Sequence, residues 1–146
     1  MSGIVELLIG EEEGRSRTAY PDTSARKLLT IGIGCVCDAR VPGSGLCDAA
    51  ISVQFEHDSK SARDIAASWP HFEEMSEVRQ AVLISMAFQL GAKPRGWPHF
   101  MAALSNRDYM AAAVAGLDSD WAREQTSKRA HRQMQMLRTN LWIPRA

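Results

Sequence analysis

Two carboxylates nine residues apart, Glu13 and Asp22, are the residues of this sequence best suited to chemistry. Glu13 ends the run Glu11-Glu12-Glu13 just before Gly14. That places it in the last turn of an expected short helix over residues 2–13. The helix macrodipole is negative there and two further glutamates are close, so both effects disfavour the ionised form. A carboxyl that keeps its proton near neutral pH is what a general acid requires. Asp22 follows Tyr20-Pro21 at the edge of a polar turn, where solvation favours the carboxylate and suits it to activating water. Two carboxyls with opposite protonation preferences are the tools of glycoside hydrolysis. On composition and spacing alone, a solvated acidic patch and an aspartate serving turn geometry are the simpler readings.

The elements that must hold these groups are legible from local pattern. Ile4, Val5, Leu7 and Leu8 give the first segment a helical stripe, and Gly14 stops it. Thr18–Tyr20 and Leu28–Ile31 read as short strands around the turn Asp22–Lys27. Pro42, Gly43, Ser44 and Gly45 make residues 38–45 a loop. A longer helix is expected from Asp48 to about Ser68, ended by Pro70. Residues 76–90 are apolar nearly all round, as in the buried centre of a helical lobe, with Gly91 capping the end. Shorter helices follow over 98–104, 107–117 and 128–137, with Asn106 and Ser127 as N-caps of the last two. The fold class is α+β: a small β-containing N-terminal lobe over about 14–47, a connecting helix over 48–68, and a helical C-terminal lobe over 69–146 joined by residues 1–13. Two lobes joined by a long helix imply a cleft between them.

Bulk properties narrow the function. The chain has 146 residues, which suits a single domain, and 45% hydrophobic composition allows a core. Seventeen basic residues balance 17 acidic ones, so bulk charge does not point to nucleic acid. Six basic residues (Arg123, Lys128, Arg129, Arg132, Arg138 and Arg145) concentrate after Trp121, where they can pair internally, lie solvated or attract an anionic polymer. No apolar run approaches the roughly 20 residues of a membrane span. The N-terminus lacks the basic region and apolar segment of a signal peptide. Cys35, Cys37 and Cys47 are odd in number and, with His57, match zinc spacing poorly, so free thiols and no metal or cofactor are expected. A single bridge through Cys47 is the alternative.

Three blocks in order along the chain resemble the phage-type lysozymes, glycoside hydrolase family 24. The first is Glu13-Gly14, then Ala19-Tyr20-Pro21-Asp22-Thr23, then Thr30-Ile31-Gly32-Ile33-Gly34. The second is the central helix from Val78 to Gly91, and the third is Trp121, Gln125-Thr126, Arg129-Ala130 and Leu137–Trp142. The resemblance implies a muramidase cutting the β-1,4 bond between N-acetylmuramic acid and N-acetylglucosamine of peptidoglycan, with inversion. Glu13 would be the general acid, Asp22 the residue that activates water or stabilises the transition state, and Thr30 the hydroxyl that holds the water. The two carboxyls of an inverting enzyme stand roughly 6.5–9.5 Å apart. Phe88, Gln89 and Thr126 match substrate-side positions, and Arg129 matches an arginine facing the catalytic glutamate, where it would oppose the rise in Glu13's pKa. Phe88 nonetheless reads as core before it reads as a sugar platform, whereas a glutamine on an apolar helix needs partners.

The implied biology is an endolysin: a monomer with no nucleic-acid partner, held in the host bacterial cytoplasm until a holin opens the membrane, then acting on the wall. A virion- or tail-associated lysozyme and an inactive peptidoglycan-binding module are the alternatives. Two departures from the family flank the site. Cys35 stands where the family has a histidine, so the partner role expected of Asp58 is lost. The turn between Asp22 and Thr30 is also longer than in the family's type enzyme and lacks its glycine.

Overall fold

The computed structural model describes residues 15–125 and 127–144, with the side chains of Glu124 and Gln125 left out. The expected first helix, and with it Glu13, lies outside the described residues, as does Thr126. The chain divides into two units, Met1–Gln54 and Phe55–Ala146. The small sheet and the helix bundle bear out the α+β, lysozyme-like fold class.

In the first unit a three-stranded antiparallel sheet runs β1 (Ser16–Pro21), β2 (Leu29–Gly32) and β3 (Cys35–Val36) in sequence order. Tyr20 pairs with Thr30 and Pro21 with Leu29, while Thr30 pairs on its other side with Val36. The β2–β3 turn carries Gly34 at φ 65°, a left-handed conformation that glycine adopts without steric cost. This is the physical reason for the glycine that closes Thr30-Ile31-Gly32-Ile33-Gly34. The loop after β3 folds back on Asp38, whose carbonyl accepts from the Val41 amide (2.9 Å) and the Ser44 hydroxyl (2.8 Å).

Helix α1 (Asp48–Ala67) spans the boundary between the units and ends before Pro70, as expected. In the second unit α2 (Glu77–Leu90), α3 (Pro98–Ser105), α4 (Tyr109–Leu117) and α5 (Ser127–Thr139) surround a core that includes Phe72, Val82, Leu83, Met86, Phe100, Leu104, Trp121, Met134 and Leu137. Ser76 caps α2, accepting from the Arg79 amide. Arg79 in turn donates to the Leu137 carbonyl at 2.9 Å near the end of α5 and lies 3.7 Å over the Tyr109 ring. Two expected caps fall elsewhere. Asp108, not Asn106, caps α4 by accepting from the Ala111 amide at 2.9 Å. Asn106 instead closes α3, its amide donating to the Ala102 and Leu104 carbonyls. Ser127 is already helical, so α5 starts one residue earlier than expected.

Candidate active site

The β1–β2 hairpin places Asp22 and Thr30 around one backbone atom. The Asp22 amide donates to the Leu28 carbonyl at 2.9 Å, and the Thr30 hydroxyl donates to the same oxygen at 3.4 Å. Among the described residues, the Asp22 carboxyl is hydrogen-bonded through one oxygen only. Its Oδ1 accepts from the Ser24 amide (3.0 Å), the Ser24 hydroxyl (2.5 Å) and the Leu28 amide (3.0 Å). These bonds tie down the turn from Asp22 to Leu28. They also set the charge. The Ser24 hydroxyl foremost, joined by the Ser24 and Leu28 amides and the nearby Lys27 ammonium, outweighs the opposing desolvation and holds the carboxyl below its usual range. Asp22 is therefore a carboxylate that favours its ionised form, with Oδ1 occupied. Thr30 is buried at 4% exposure, and its oxygen retains acceptor lone pairs beside its one donated proton.

A buried carboxylate braces this hairpin from beneath. Asp38 is 4% exposed, and it accepts from the Leu29 amide at 2.9 Å and from Arg40 through its amide (2.9 Å), Nε (2.8 Å) and Nη2 (2.5 Å). The same Arg40 Nη2 donates to the Lys27 carbonyl at 3.0 Å. One ion pair thus connects the loop after β3 to the C-terminal end of the turn that carries Asp22, at Lys27, and to the first residue of β2, Leu29. The Arg40 side-chain bonds, followed by the Leu29 and Arg40 amides, hold the Asp38 carboxyl far below the usual range. Sequence reasoning missed this pair. Its only signal was an aspartate and an arginine two residues apart in a loop.

In the second unit, α2 carries Phe88 and Gln89, and Arg129 of α5 bonds to its Ser85. Gln89 Oε1 accepts from Trp121 Nε1 at 3.0 Å, which supplies the partner that an amide on an apolar helix needs. Trp121 is buried at 1% exposure and stacks on Trp97, with ring centroids 6.4 Å apart and planes at 30°. One helical turn earlier, the Ser85 hydroxyl accepts from Arg129 Nη2 at 2.8 Å. Phe88 departs from the expected core position: it is 47% exposed, its ring 6.0 Å from that of the likewise exposed Phe55. A shallow groove of about 260 Å³ lies beside it, lined by Asp58, Ser61, Ala62, Ile65, Ala87 and Gly91. Asp58 has a histidine neighbour, its Oδ1 lying 3.2 Å from His57 Nδ1.

The same unit holds a larger groove of about 840 Å³ between α3 and α4, with Trp97, Trp121, His99, Asp118 and Arg123 on its walls. Arg123, one of the basic C-terminal residues, is engaged internally by Asp118 (2.7 Å) and Asp120 (3.3 Å). The segment that delivers Trp121 is a π-helical turn, Trp121–Gln125. Such turns carry an extra residue per turn, and nothing in local sequence periodicity announces one. All three cysteines are free thiols, and no helix among the described residues is long and apolar enough to cross a membrane.

No individual curated protein matches the chain. The model of the phage lysozyme family matches residues 10–138, which takes in the hairpin with Asp22 and Thr30, the α2 helix and the Arg129 segment. A match over most of the chain means that this chain belongs to the phage lysozyme family of glycoside hydrolases.

Proposed function

We propose that the chain is a muramidase that hydrolyses the β-1,4 bond between N-acetylmuramic acid and N-acetylglucosamine in bacterial peptidoglycan, with inversion, and that it serves as an endolysin. The observation that best supports this reading is the one-sided hydrogen bonding of Asp22, which keeps the carboxyl ionised and leaves Oδ2 to take a proton from water. In the proposed reaction Glu13 gives its proton to the glycosidic oxygen as the bond from that oxygen to the anomeric carbon breaks. A water held by the Thr30 oxygen attacks the anomeric carbon from the opposite face and loses its proton to Asp22. The product sugar has the inverted configuration, and the two carboxyls exchange protons with solvent before the next cycle. Phe88, Gln89 and Thr126 are assigned to the substrate side. Arg129 is assigned to the neighbourhood of Glu13, where a positive charge lowers the pKa that the helix end would raise.

Release to the wall through a membrane hole made by a holin completes the proposal. The decisive experiment measures turbidity loss of permeabilised Gram-negative cells, and release of reducing ends from purified peptidoglycan, by the wild type and by Glu13→Gln. Wild type is expected to lyse and to yield the α-anomer first. Glu13→Gln is expected to lose about 10²- to 10⁴-fold in rate. Equal rates for the two proteins would remove Glu13 from its role, and initial formation of the β-anomer would overturn the inverting mechanism.

A further inference from the structure

Gln133 is a polar residue in a core position. It is 4% exposed on the face of α5 that also buries Ala130, Met134 and Leu137. Its Nε2 donates to the Ser85 hydroxyl at 2.7 Å, while its Oε1 is buried without a hydrogen-bond partner among the described residues. A bare buried oxygen is costly, and an apolar side chain of the same length would avoid that cost. A sequence that keeps such a group breaks a packing rule, and such breaks cluster where the group has a task.

What Gln133 touches supplies the task. The Ser85 oxygen accepts simultaneously from Gln133 Nε2 and from Arg129 Nη2, which also reaches the Ser85 carbonyl at 3.5 Å. Arg129 and Gln133 are one turn apart on α5, and Ser85 faces both from α2. A serine oxygen has two lone pairs. With both engaged, the hydroxyl rotor is fixed and its proton points away from both donors. Without Gln133, the hydroxyl is free to turn and bond its own helix backbone, as serines on helices commonly do. Its hold on the guanidinium then loosens.

We propose that Ser85 and Gln133 are positioning residues that hold the Arg129 guanidinium in one orientation. Ser85 accepts from it directly, and Gln133 fixes the Ser85 rotor. This rests on the assignment of Arg129 to the site made above. Ordering a long, flexible arginine within the fold spares that cost when substrate arrives.

The test uses Ser85→Ala and Gln133→Met, with Ser85→Thr as the variant that restores the hydroxyl. Ser85→Ala removes one oxygen from a half-buried position, which keeps the test open if Gln133→Met does not fold. The first readout is the rotation rate of the Arg129 guanidinium, from exchange broadening of its Nη resonances by NMR. It should be slow in wild type, faster by about tenfold in both variants, and slow again in Ser85→Thr. The second readout is the pH profile of peptidoglycan hydrolysis. A less constrained Arg129 stabilises ionised Glu13 less, so the alkaline limb should move up by about half a unit, with kcat changed more than KM. Folded variants with wild-type guanidinium rotation would overturn the proposal. An inactive wild type, or full activity in Glu13→Gln, would overturn the functional reading instead and leave the guanidinium measurement to decide on Ser85 and Gln133.

Discussion

Replacing Asp22 with asparagine separates the structural work of this residue from its chemical work. Oδ1 accepts the three bonds through which the Asp22 side chain holds the turn, from the Ser24 amide, the Ser24 hydroxyl and the Leu28 amide. An asparagine carbonyl oxygen accepts the same three, so Asp22→Asn should keep the hairpin. Oδ2 is the atom assigned to the proton of the attacking water, and in asparagine its place is taken by an NH₂ that accepts no proton. Loss of a positioned general base costs about 10²- to 10⁴-fold in rate. Asp22→Ala removes both functions. It should lose the same rate and, in addition, lower the thermal midpoint of the hairpin. The pH dependence follows from the lowered pKa of the wild-type carboxyl. A group whose folded pKa is depressed stays ionised until the pH falls below the ordinary aspartate value of about 3.9. The acidic limb of hydrolysis should therefore lie below about pH 4. Reducing-end release on purified peptidoglycan, paired with near-UV circular dichroism melts, reads both quantities. Asp22→Asn that keeps more than a tenth of wild-type activity, or that melts like Asp22→Ala, would refute the division of labour between the two oxygens. An acidic limb near pH 6 would refute the ionisation argument.

Other predictions follow from packing and charge. Asp38 has a folded pKa far below the ordinary value, so its contribution to stability is complete above about pH 4 and fades as the pH falls below that. The difference in melting temperature between wild type and Asp38→Asn should be full at pH 6 and shrink below pH 4; a difference constant down to pH 2.5 would rule out the ion pair. Gly116→Ala would gain up to about 1 kcal/mol of helix propensity. Its new Cβ, however, would sit within overlap of the Met134 sulfur, and Met134 is buried at 1% exposure. Overpacking costs about 1–3 kcal/mol, so urea titration should find the variant less stable; stabilisation would mean that Met134 gives way freely. Gln89→Met strips the acceptor from a buried indole N–H, at a cost of about 1–3 kcal/mol. Gln89→Glu keeps an acceptor and should retain most of that stability, and equal losses in both variants would point to packing instead.

Local chemistry in the sequence determined the elements around the candidate site. The β-hairpin around Asp22–Lys27, the glycines that end Thr30-Ile31-Gly32-Ile33-Gly34, the apolar run of α2 and the proline that ends α1 all act within a few residues of themselves. Propensity, turn geometry and capping are short-range, so pattern reading reaches them. Asn106 misled because Asp108, two residues on, offers an equally good cap, and the choice was made by where α3 stops.

Tertiary structure alone decided which side chains meet. Trp121 reaches Gln89 across 32 residues of sequence, and Arg129 reaches Ser85 across 44. The exposure of Phe88 depends on which face of an almost uniformly apolar helix turns outward, and periodicity cannot choose a face when all are alike. The bonds from Arg40 to the Lys27 carbonyl and from the Leu29 amide to Asp38 likewise emerged only when the loop after β3 met the hairpin. Hydrogen bonds of this kind depend on orientations within a few tenths of an ångström, and those are set by packing between distant segments, not by the identity of neighbours in the chain.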